Sequence, residues 1–89
     1  DRINFVGLSK MSPECELDAH AHKNPDSLVM HIGLMVPEEE SASLVVGDTE
    51  FVWREPGDYC IFDDSIPHSA WNRGETDRII LHIDFEKEV

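Results

Sequence analysis

Eighty-nine residues allow one domain with one core, because so short a chain buries only a modest share of the surface its unfolded form exposes. Nineteen acidic residues against seven Lys plus Arg give a net charge of -12, a field that repels phosphate backbones and excludes nucleic acid as a partner class. No apolar run approaches the roughly 18 residues of a membrane span, and no charged-then-apolar leader opens the chain.

The chain starts at Asp1 and runs at once into the alternation Ile3, Phe5, Gly7, which reads as a fragment of a longer chain lacking its N-terminal region. Turn formers cluster at 12–13, 24–26, 37–41, 47–48, 56–58, 65–67 and 74–77, and the segments between them are rich in Val, Ile, Phe and Trp. This spacing predicts strands over 2–9, 14–22, 28–36, 43–47, 50–54, 58–62, 68–72 and 78–85. No segment holds a 3.6-residue apolar period, so no helix is expected. Eight short antiparallel strands predict an all-β double-stranded β-helix, the cupin-like jelly roll, as a single domain over 1–89.

In the second strand, alternation places Asp18, His20 and His22 on one face, so two imidazoles converge as a strand-borne chelate. The competing reading turns His22 outward into the loop that follows. Both faces of 28–36 are largely apolar, as in a strand packed inside a sandwich, and Glu38 to Glu40 read as a solvated turn. Cys15 and Cys60 form no CxxC pair and read as two buried structural thiols, with a disulfide between them as the alternative. The cytoplasm is the expected compartment.

His68 follows the polar turn Asp63-Asp64-Ser65 at the expected barrel rim, where it completes a facial set of three ligands with the HxH pair. Such a set leaves open positions on an octahedral ion, as oxygen chemistry requires. Asp63 and Asp64 either accept hydrogen bonds from a ligating imidazole or cap the turn. Arg78 opens an apolar strand and either points inward, needing a carboxylate partner, or sits at the surface edge. Trp53 and Trp71 read as packing residues, and His82 as a satisfied interior histidine.

Met30-His31-Ile32-Gly33-Leu34-Met35-Val36-Pro37, then Gly57, then Ile61-Phe62-Asp63-Asp64-Ser65, His68, Trp71 and Arg78 resemble the C-terminal part of the aspartyl/asparaginyl β-hydroxylase catalytic domain. The resemblance implies an Fe(II) site with 2-oxoglutarate as co-substrate, inside a double-stranded β-helix. It implies that His20 and His68 bind the metal, that Ser9 and Arg78 hold the far carboxylate of 2-oxoglutarate, and that His31 assists at the iron-proximal end. His22 stands where the family has a carboxylate or a glycine, and Val29 where it has an arginine. The implied reaction is hydroxylation of a C–H bond in a protein Asp or Asn side chain, a free amino acid or a lipid acyl chain. Two alternatives stay open: a three-His cupin-like dioxygenase that does not use 2-oxoglutarate, favoured by His22, and a non-catalytic jelly-roll binding domain, favoured by Val29.

Overall fold

The computed structural model describes residues 3–21 and 26–86. Their regular elements are eight strands: β1 (Ile3–Met11), β2 (Cys15–His20), β3 (Ser27–Met35), β4 (Ala42–Val46), β5 (Thr49–Trp53), β6 (Tyr59–Phe62), β7 (His68–Asn72) and β8 (Arg78–Glu86). All pairings are antiparallel, and the strands form two four-stranded sheets ordered β1-β8-β3-β6 and β2-β7-β4-β5. This is the jelly roll that the strand spacing predicts. Each sheet pairs an early strand with a late one, so β1 meets β8 and β2 meets β7. That interleaving lets residues far apart in sequence share one cavity.

Turn chemistry fixes the registers. Gly47 takes φ 57° at the first position of the two-residue loop joining β4 to β5, where glycine meets no steric cost. Gly33 is required for a different reason: a Cβ there would lie 2.8 Å from Val36 Cγ2 and 3.3 Å from Trp53 Cε3. Its backbone is pinned from both sides, donating to the Asp58 carbonyl at 2.8 Å and accepting from Gly57 N–H at 2.9 Å. Glu38 to Glu40 lie exposed in a turn, as like charges require.

The core lies between the sheets. Val29, Leu44, Phe62 and Ala70 form one buried cluster, and Ala42, Trp53 and Ile80 form another. The outer faces of β3 and β8 are only part-covered, with Leu34 and Met35 exposed, because a two-layer sandwich shields one face of each sheet. The expectation of two buried thiols fails at Cys15, which is exposed on edge strand β2. Cys60 is half-buried, its pKa pushed up to about 11 by burial, and both thiols are free.

Asn72 closes the far end of the sandwich. It is fully buried, and its Nδ2 donates to the carbonyls of Met11 at 3.0 Å and Thr76 at 2.9 Å. Its Oδ1 accepts from Gly74 N–H at 2.9 Å, so one amide ties β1, β7 and the loop before β8. Asn72→Ala is expected to destabilise the fold by about 2–4 kcal/mol, since three hydrogen bonds of a fully buried amide are lost and the backbone groups of Met11, Gly74 and Thr76 lose their partner. Urea denaturation checks this; an unchanged midpoint would contradict it.

Candidate functional site

A cavity of about 380 Å³ opens between the two sheets, and Ser9, His20, His31, His68 and Arg78 all line it. The pairing of β2 with β7 sets His20 directly opposite His68, with ring centroids 4.3 Å apart. His20 Nδ1 lies 3.0 Å from the Asp18 carbonyl and His68 Nδ1 lies 2.9 Å from the Ile66 carbonyl. A carbonyl only accepts, so both Nδ1 atoms carry the proton and both lone pairs sit on Nε2. That is the tautomer and orientation a metal-ligating histidine needs.

Strand alternation alone does not produce this arrangement. The register of β2 shifts between Leu17, opposite Ala70, and His20, opposite His68, so β2 holds one extra residue there. This β-bulge turns both Leu17 and His20 to the cavity and leaves Asp18 exposed, contrary to the alternation expected for Asp18 and His20. His22, the expected third ligand, lies outside the described residues. Among the described residues, no group of three or more His, Cys, Asp or Glu side chains is placed to hold a metal ion.

Arg78 points inward, 3% exposed, and settles the open question of its direction. Its Nη2 donates to Ser9 Oγ at 3.2 Å, its Nε has no partner, and it forms no ion pair with a carboxylate among the described residues. Burial lowers its pKa, although a guanidinium stays charged. Val29, where the resemblance puts an arginine, is fully buried among Leu44, Phe62 and Ala70. Arg78 is therefore the one arginine lining this cavity among the described residues.

His31 lies beside Arg78 on the cavity wall. Its Nε2 is 2.8 Å from Nδ1 of His82, and the edge of its ring packs against Phe62 at a centroid distance of 5.0 Å. Burial, then Coulombic repulsion from His82, Arg78 and His68, pushes the His31 pKa down from 6.5 to about 3. The folded ring thus stays neutral while the unfolded one gains a proton below pH 6.5. Stability is full above pH 6.5 and is lost as pH falls toward 3, by up to ~1.4 kcal/mol per pH unit. Between about pH 6 and 5, urea midpoints of the wild type should fall more steeply than those of His31→Gln. Parallel curves would contradict a buried neutral His31.

The two aspartates of the β6–β7 turn differ. Asp63 Oδ1 accepts from Ser65 N–H at 2.9 Å and Ser65 Oγ–H at 2.6 Å, so it caps the turn. Asp64 is 7% exposed and lines the cavity, with Oδ1 unpartnered. The His68 Nδ1 proton goes to the Ile66 carbonyl. Sequence reading passed over Ser27 and Asp84, which also line the cavity. Asp84 was legible, because alternation from Arg78 puts Ile80, His82 and Asp84 on the same face.

A model of the family described as aspartyl/asparaginyl beta-hydroxylase matches residues 1–88. The chain is 34% identical over 80 residues to an ornithine lipid ester-linked acyl 2-hydroxylase from Rhizobium tropici, a match covering 90% of this chain and 28% of that protein. It is 33% identical over 83 residues to the aspartyl/asparaginyl beta-hydroxylase of Homo sapiens, covering 93% of this chain and 11% of that protein. The chain therefore spans under a third of the length of these relatives. Among solved structures, a predicted oxalate decarboxylase from Thermotoga maritima matches with a TM-score of 0.75 at 20% identity, over 97% of this chain and 69% of the other. A cupin domain from Schizosaccharomyces pombe matches with a TM-score of 0.73 at 15% identity, over 92% of this chain and 52% of the other. At these identities the structural likeness speaks for the cupin fold alone.

Proposed function

The chain belongs to the aspartyl/asparaginyl β-hydroxylase family, and from that premise we propose that it is the site-bearing core of an Fe(II)- and 2-oxoglutarate-dependent oxygenase that hydroxylates a C–H bond. The observation that carries this reading is Arg78, a buried guanidinium bound to Ser9 and paired with no carboxylate among the described residues. An unpaired buried charge costs several kcal/mol. A dicarboxylate whose far end reaches Arg78 and Ser9 removes that cost on binding.

The donor set also suits the metal. His20 and His68 present Nε2 lone pairs from adjacent strands of one sheet, and imidazole is a good ligand for iron. The reading assigns His22 the third ligand position. Together, Fe(II) and 2-oxoglutarate would supply the activation of dioxygen. The chain's own residues bind and orient: Arg78 and Ser9 hold the far carboxylate, neutral His31 offers a hydrogen bond, and Leu44, Phe62 and Ala70 keep the floor apolar and dry. The names of the relatives favour two substrate classes, an Asp or Asn side chain and an ester-linked acyl chain. A three-His dioxygenase working without 2-oxoglutarate leaves Arg78 without a role.

Calorimetric titration of 2-oxoglutarate into the manganese-loaded chain tests the reading. One-to-one binding that disappears without the metal is expected, because the keto acid chelates the ion. Absence of binding to the metal-loaded chain would contradict it.

A further inference from the structure

We propose that His82 is a positioning residue that fixes the tautomer of His31, occupying one nitrogen of that ring and leaving the other as a donor for an anionic ligand. The two residues are direct cross-strand partners on β3 and β8, and both line the cavity with Arg78. His31 Nε2 and His82 Nδ1 lie 2.8 Å apart, with ring centroids 4.8 Å apart and planes tilted by 51°. Aromatic edges clamp the pair from both sides. Phe62 packs on His31 at 5.0 Å and Phe5 on His82 at 5.9 Å. Gly7, the strand partner of His82, makes room for the second contact, since a Cβ there would meet the Phe5 ring at 2.8 Å.

A neutral imidazole carries one N–H, so the bond between the rings has two forms. If His31 donates from Nε2, its Nδ1 is a bare acceptor. If His82 donates from Nδ1, the His31 proton sits on Nδ1. That atom is buried with no hydrogen-bond partner in the protein. A bare acceptor there has nothing to offer a carboxylate, whereas an N–H there recovers its desolvation cost when one binds. The form with His82 as donor is therefore the one this cavity uses. This choice of form rests on the anionic ligand of the proposed function, whereas the position of the proton can be read on the chain alone.

Long-range 1H–15N correlation spectra of the metal-free chain read the tautomer directly, with His31 assigned from His31→Gln. The wild type should show His31 protonated on Nδ1. In His82→Leu the proton should move to Nε2, the form that free histidine favours. His82→Asn should restore the Nδ1–H form, because its Nδ2 can donate from near the lost Nδ1. With manganese bound, 2-oxoglutarate should bind on the order of tenfold more weakly to His82→Leu, and about as in the wild type to His82→Asn. Protonation on Nε2 in the wild type, or a His31 tautomer unchanged in His82→Leu, would overturn the proposal. The expected tautomers with no 2-oxoglutarate binding by any variant would keep His82 in this role and remove 2-oxoglutarate as the ligand.

Discussion

His68→Ala is expected to weaken metal binding by on the order of a hundredfold or more, and His20→Ala by a similar factor. The two imidazoles face each other across a β2–β7 pair, and each is held at Nδ1 by a backbone carbonyl. Their orientation is thus built into the sheet before any ion arrives. Removing either leaves at most one of this facing pair beside the proposed third ligand His22, an incomplete set of neutral ligands that holds a divalent ion poorly against water. Competition titration against a chromophoric chelator, with zinc or manganese as the probe, measures the loss. His82→Leu serves as the control, since His82 is spoken for by His31. Wild-type affinity in both alanine variants would mean that the ion binds elsewhere.

The second large effect is at Arg78. Arg78→Ala should lower the affinity for 2-oxoglutarate by about 100- to 1,000-fold while leaving metal affinity intact, because a buried two-pronged guanidinium–carboxylate contact is lost. Arg78→Lys should recover little of it, since an ammonium is a point charge without the fork. Stability should move differently. Arg78 pairs with no carboxylate among the described residues, so its removal strands no anion there. The alanine variant is therefore expected to unfold at the wild-type temperature or above it. A thermal scan beside the calorimetry separates the two roles: loss of stability with retained 2-oxoglutarate affinity would make Arg78 a structural residue.

The fold was legible from the strand pattern, while Ser9 and His31 were legible only through the family resemblance. Turn residues bound every strand to within two residues, and eight such strands leave few folds other than a jelly roll. The direction of Arg78 was not legible, because alternation says which residues share a face but not which face is inside. Its partner across the sheet decides that: β8 lies between β1 and β3, whose Ser9 and His31 also face the cavity. The bulge between Leu17 and His20 left no mark either, since a bulge of ordinary residues looks like unbroken strand. Cys15 misled for a related reason: an apolar residue in a strand implies burial only if that strand is covered, and β2 is an edge. The aspartate pair divided only in three dimensions, where Ser65 took up Asp63 and left Asp64 facing the cavity.

The proposed function requires one cavity to hold Fe(II) on His20 and His68 together with a 2-oxo acid on Arg78. Anaerobic absorption spectroscopy of the chain titrated with Fe(II) and then with 2-oxoglutarate tests this, because a 2-oxo acid bound directly to the iron would give a visible charge-transfer band that neither component shows alone. A band that saturates at one equivalent of each, vanishes in His68→Ala and needs far more 2-oxoglutarate in Arg78→Ala is the predicted result. No band in the wild type at saturating iron and 2-oxoglutarate, or an equal band in all three proteins, would contradict the account.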